Sequence, residues 1–172
     1  MVVGNQAVGC VLALCLVLVL GACVDLGVSP NDPFAASRED GAFDTHIPLE
    51  RQHFDLTDDA ESGIIQPQFV NQSEIELFYQ APSLYLVRLE KWTGGEWEDR
   101  GSWYSIIPIP RVRTLAPGDT LRAPTLNLRH VSERVIDGPG YYRLVFAVYS
   151  DYESPELIPE VDRASDPFEV IP

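Results

Sequence analysis

Lysine is nearly missing from this chain: among twelve Lys and Arg residues, Lys91 is the single lysine. Cysteine is scarce and confined, since Cys10, Cys15 and Cys23 are the only three and none follows. The rest of the chain therefore can form no intrachain disulfide, no thiolate zinc cluster and no cysteine nucleophile. Positive charge is short overall. A formal net charge of −14 argues against nucleic acid and against binding anionic lipid headgroups by charge. Glycine patterns with chemical meaning are missing too. There is no Gly-x-Ser-x-Gly elbow, and Gly138-Pro139-Gly140 reads as a turn rather than a phosphate cradle. After residue 62 the only histidine is His130, between Arg129 and Val131, with no sign of the acid and serine a triad requires. Acids are scattered through every loop, so no carboxylate pair stands out for glycoside chemistry. The expectation is a protein that is not an enzyme and carries no metal or cofactor.

What is present begins with an apolar run, Val8 to Leu20, followed by Gly21-Ala22-Cys23 and then acidic sequence. The apolar centre suits a secretory leader, although no Lys or Arg precedes Arg38 where a basic start belongs. Leu20 fits poorly in an Ala-x-Ala-type cleavage triplet, and the small-residue ending argues against an uncleaved membrane helix.

From Val24 to Ser62 ten acids face two arginines, Arg38 and Arg51, with Pro30, Pro33 and Pro48 interspersed and no sustained period. Such a segment buries little apolar surface to offset its ordering entropy. It reads as a tether, which as a flexible coil of about 38 residues would span about 35 Å. His46 and His53 lie among its acids without a metal-site spacing. The short run His53–Leu56 is its one candidate strand.

From Gly63 the punctuation changes to short strand-like runs separated by Gly, Pro and Asn. In Ser83–Trp92, Tyr85, Val87 and Leu89 alternate toward a core, and Thr93-Gly94-Gly95 turns the chain back to Trp97. Ser102–Ile109 is a further apolar run, limited by Pro108 and Pro110. Leu115–Thr120 is a Pro-Gly turn leading into Thr120–Leu128, a strand weakened by Pro124. The strongest strand is Tyr141–Tyr149, with Tyr142, Leu144, Phe146 and Val148 on one face. Pro167–Ile171 closes the set with Phe168 and Val170 inward. Asn71-Gln72-Ser73 reads as a turn before a strand holding Ile75 and Leu77. Short strands with frequent turns and no helical period indicate an all-β sandwich.

Two family resemblances rest on these residues. Leu20-Gly21-Ala22-Cys23 resembles the lipobox of bacterial lipoproteins. It implies a signal peptide over 1–22, lipidation (palmitate) of Cys23, and a bilayer partner. Val24 after the cysteine implies the outer membrane, on its periplasmic or surface face. The hairpin to Trp97, Leu115-Ala116-Pro117-Gly118, Gly140-Tyr141-Tyr142-Arg143 and Phe168-Glu169-Val170 resemble bacterial immunoglobulin-like domains. The implied organisation is a lipidated acidic tether over 23–62 and an immunoglobulin-like β-sandwich over 63–172. Tyr142 would be a corner tyrosine, its ring buried and its hydroxyl bonded to upstream backbone.

The function expected is a noncatalytic envelope or surface module for binding, adhesion or envelope assembly, with an envelope or extracellular protein or glycan as partner and no nucleic acid. The candidate partner surface is the acidic span Tyr149–Ala164, with Glu153, Glu156 and Glu160, together with Trp92 at the hairpin shoulder. Removing Glu153–Glu160 should then spare stability. A weaker likeness to a sandwich family of proteinase inhibitors gives an alternative, inhibition through the exposed spans Ile109–Leu115 or Tyr149–Ala164.

Overall fold

A computed structural model describes residues 32–35, 41–56, 63–83, 85–104, 109–153 and 156–172. The leader, Cys23, and residues 57–62 and 105–108 lie outside the described residues.

The chain is nearly all-β. In order, its elements are β1 (Thr45–His46), β2 (His53–Asp55), β3 (Ile64–Ile65), β4 (Gln68–Asn71), β5 (Leu77–Ala81), β6 (Val87–Trp92) and β7 (Trp97–Gly101). There follow β8 (Arg111–Leu115), β9 (Thr120–Arg122), β10 (Leu126–Asn127), β11 (Gly140–Phe146), β12 (Val148–Tyr149), the short helix α1 (Glu160–Arg163) and β13 (Phe168–Ile171). The largest sheet has the order β2-β13-β11-β6-β7. Three small sheets, β1-β4-β9, β12-β5-β8 and β10-β3, make up the rest. One buried cluster draws on both sets, as a sandwich requires. Phe69 of β4 meets Phe146 of β11 at 5.6 Å between ring centroids.

The alternation read in Tyr141–Tyr149 holds: Tyr142, Leu144, Phe146 and Val148 are buried on one face. Ala147 divides the run, so that β11 and β12 belong to different sheets. Phe168 and Val170 point inward, with Phe168 stacked on Tyr142 at 6.2 Å. Pro124 breaks Thr120–Leu128 into β9 and β10. Gly118 takes a φ of 82° in its turn, where Asp119 N donates to Ala116 O at 3.0 Å.

Several expectations change. Residues 41–56, read as part of the tether, are built into the fold. β1 pairs antiparallel with β4, and β2 runs parallel to β13. Phe54 is 2% exposed and meets Phe168 edge-on at 5.4 Å. The segment's few apolar residues, Phe43, Ile47, Leu49, Phe54 and Leu56, each reach the core, and two short ladders pair its backbone at Thr45–His46 and His53–Asp55. The clasp is completed by Asp162, whose carboxylate accepts from Ala42 N at 3.1 Å and whose carbonyl accepts from Thr45 Oγ1.

Tyr85 is not a core residue but 80% exposed, because β6 begins only at Val87. Ser83 folds the chain first: its Oγ accepts from Tyr85 N and its carbonyl accepts from Leu86 N. The run expected over Ser102–Ile109 is not strand at Ser102–Tyr104, since Gly101 turns out of β7 with a φ of 77°. Ile75 lies before β5 rather than in it. Asn71, at the turn read from Asn71-Gln72-Ser73, is fully buried. Its Nδ2 donates to Ile75 O and Leu115 O, both at 2.9 Å, and its Oδ1 accepts from Ser73 N and Ser73 Oγ.

Candidate functional site

The outer face of the large sheet carries charge where alternation places residues away from the core. Glu90 of β6 is buried between two arginines. Arg88 Nη2 donates to its Oε1 at 2.6 Å, and Arg143 Nε and Nη2 donate to its Oε2 at 2.8 and 2.6 Å. Arg143 also bonds Glu160 of α1, and its guanidinium lies 4.5 Å from the Trp97 ring centroid. Trp92 packs on Trp97 at 5.2 Å. Arg163 closes the ladder, donating from Nε to Ile158 O and from Nη1 to Phe146 O. Burial first, then the nearby Arg88 charge, lowers the Arg163 pKa from its ordinary value.

The candidate partner residues therefore separate. Glu160 and Trp92 join one ladder through Arg143 and Trp97, with Glu160 still exposed and Trp92 half-buried. Glu153 and Glu156 are exposed, on the span between β12 and α1. That span is less free than its acidity and prolines suggest: Leu157 bridges Tyr149, Ala164 bridges Val145, and Ile158 is buried. Removing Glu153–Glu160 would extract Ile158 and break the Arg143–Glu160 pair, so the fold does not spare this deletion. The other proposed inhibitory span, Ile109–Leu115, contains β8, which pairs with β5 throughout.

A second cluster fastens the entry to β11. The Tyr142 hydroxyl donates to Gly138 O at 2.8 Å and lies 3.1 Å from Asp137 Oδ1, as a corner tyrosine would. Lys91 Nζ donates to Asp137 Oδ1 at 2.5 Å, and Arg100 Nη2 to Asp137 Oδ2 at 2.7 Å. The Lys91 bond, helped by Tyr142 and nearby cations, holds the Asp137 carboxyl below its ordinary value despite some burial. Burial pulls Lys91 down, but the Asp137 hydrogen bond and the surrounding charges outweigh it and leave its pKa raised. Burial pushes the Tyr142 hydroxyl up. These groups hold one another in the forms they already have at neutral pH, which suits a clamp rather than a proton-transfer site.

An open groove of about 1150 Å³ shares Arg88 with the first cluster and Arg100 with the second. Arg88, Arg100 and Arg134 line it with one acid, Asp99, and with Tyr85, Tyr149 and Leu157. Its wall is fixed from beneath. Tyr104 Oη donates to Ser83 O at 3.0 Å and accepts from Val87 N, and Ser102 Oγ donates to Val87 O at 2.7 Å. Burial raises the Tyr104 pKa, so the hydroxyl keeps its proton. No local pattern in the sequence announces this groove, because its residues come from five separated stretches of chain. Only Tyr85 carried a signal, as a large side chain beside the Pro82-Ser83 turn, and alternation assigned it inward.

Among the described residues no three His, Cys, Asp or Glu side chains converge as metal ligands. No family model matches the chain, and no curated protein does. Among solved structures it is similar to the CsuC–CsuE chaperone–tip adhesion subunit pre-assembly complex of archaic chaperone-usher Csu pili from Acinetobacter baumannii. The TM-score is 0.36 and the identity 16%, over 73% of this chain and 56% of that one. It is also similar to a β-glucosidase from Listeria innocua in complex with glucose, with TM-score 0.29 and 13% identity, over 79% of this chain and 17% of that one. At these scores and identities neither likeness transfers an activity.

Proposed function

We propose that this chain is a noncatalytic lipoprotein of the bacterial envelope, held at the outer membrane through acylated Cys23. Its immunoglobulin-like sandwich presents a binding groove to a protein partner. The observation that carries the reading is the groove itself: exposed Tyr85 and Arg134 stand on a wall that hydrogen bonds have already fixed. A preorganised wall loses little freedom on binding, and Tyr and Arg are the side chains that most often carry interface energy. The clamped Tyr142 supports the immunoglobulin-like assignment. The Leu20–Cys23 motif supports lipidation of Cys23.

Two measurements test the reading. Labelled palmitate should enter the wild-type chain and not Cys23→Ala, and label surviving the substitution would reject the anchor. A photocrosslinking residue at position 85 should capture a discrete partner in the native host. Capture at control positions on β8 but not at 85 would move the site elsewhere.

A further inference from the structure

β7 is the terminal strand of the large sheet, so one side of its backbone has no strand partner among the described residues. Asp99, Arg100 and Gly101 of this strand form part of the groove wall. An unpaired strand edge beside a groove is a template for an extended peptide, which can continue the hydrogen-bond ladder while its alternate side chains enter the groove. A glycan has no such ladder to offer.

The charge of the wall specifies the peptide. The chain carries −14 overall, yet this groove has three arginines against one aspartate. Arg88 is occupied by Glu90 and Asp99. Arg100 reaches Glu98 and Asp137 through its terminal nitrogens, while its buried Nε has no acceptor. Arg134 is exposed and has no ion-pair partner among the described residues. Tyr85 and Leu157, both exposed, line the same groove and supply apolar surface. With Arg88 and Arg100 already paired, Arg134 is the cation left to a ligand, and beside exposed Tyr85 and Leu157 it is complementary to an extended segment that alternates carboxylates with apolar residues.

We infer that the groove binds an extended acidic peptide segment of a partner protein, laid along the free edge of β7, with Arg134 receiving its carboxylates and Tyr85 its apolar side chains. This rests on the binding-module reading and adds the chemical class of the partner.

The test uses the full chain in detergent and two fluorescein-labelled probes, an alternating Glu-Val peptide and an alternating Lys-Val peptide. Anisotropy should show saturable binding of the Glu-Val peptide alone. Arg134→Glu should weaken it at least tenfold, Tyr85→Ala should weaken it severalfold, and added salt should weaken it further. Both side chains are exposed, and unchanged melting temperatures would confirm that the variants are folded. Equal binding of the two peptides, no saturable binding of the acidic one, or an affinity indifferent to Arg134→Glu would each overturn the inference. Photocrosslinking at position 85 separates the two levels. A partner captured there without Glu-Val binding rejects the acidic segment and keeps the module, whereas no partner captured at any surface position rejects both.

Discussion

Asn71 shows how much one side chain can hold. Its amide joins the end of β4 to the carbonyls of Ile75 and Leu115, and the side chain is fully buried. Asn71→Ala leaves the Leu115 carbonyl buried without this donor, at a cost of about 1–3 kcal/mol for each group stranded. Urea unfolding should register the loss, and a midpoint equal to wild type would mean that the pocket refills with water. Gly41 makes a different demand, for space. A Cβ there would overlap the Asp162 carboxylate that holds Ala42. Gly41→Ala should therefore release the clasp, seen as faster amide exchange at Thr45 and His46 with little change at β11. Neither role could be read from residue type, because Asn and Gly also mark ordinary turns.

At the scale of elements, β2 and the β11 corner separate what the sequence revealed from what it concealed. Tyr142, Leu144, Phe146 and Val148 were legible because their alternation is local and dense. The two faces of β11 then follow from the pleat alone. Phe54 was concealed because one phenylalanine among acids says little until β13 is there to meet it. Its slot exists only in the assembled sheet. Phe54→Ala should cost about 3–5 kcal/mol if it fills that slot, against almost nothing in a solvated leash. Thermal or urea denaturation distinguishes the two.

The corner clamp makes a pH prediction with a definite sign. The native Asp137 carboxyl titrates below its ordinary 3.8, so its contribution is complete above that value and lost as pH falls through the depressed native pKa. Native Lys91 titrates above its ordinary 10.5, so its contribution is complete below that value and lost as pH rises through the raised native pKa. Asp137→Asn should be less stable than wild type near neutrality, and the gap should close as pH falls below the ordinary 3.8 and wild-type Asp137 protonates. A gap constant through that fall would show that the carboxylate charge contributes nothing.

For the whole molecule, a net charge of −14 sets acidic loops against one another. Raising salt from about 0.01 to 0.15 M shortens the screening length from about 30 to 8 Å. That relieves the long-range repulsion while leaving the buried Glu90–Arg143 contact largely intact. The melting temperature should therefore rise with salt, and a fall would mean that exposed pairs such as Arg88–Asp99 outweigh the repulsion. The groove belongs to this scale as well. It depends on Tyr85, Arg100, Arg134 and Leu157 meeting in space, and no local pattern in the chain announces that meeting.

The parallel alignment of β2 with β13 has a mechanical consequence. Tension drawn between residue 41 and residue 172 pulls the two strands past each other lengthwise, so their rungs share the load together instead of parting one by one. A chain tugged from its N-terminal side would yield first at the Asp162 clasp and β1, and stop at this zipper. Stretching single molecules from those two points should give a small early extension, then a distinct force peak that Phe54→Ala lowers.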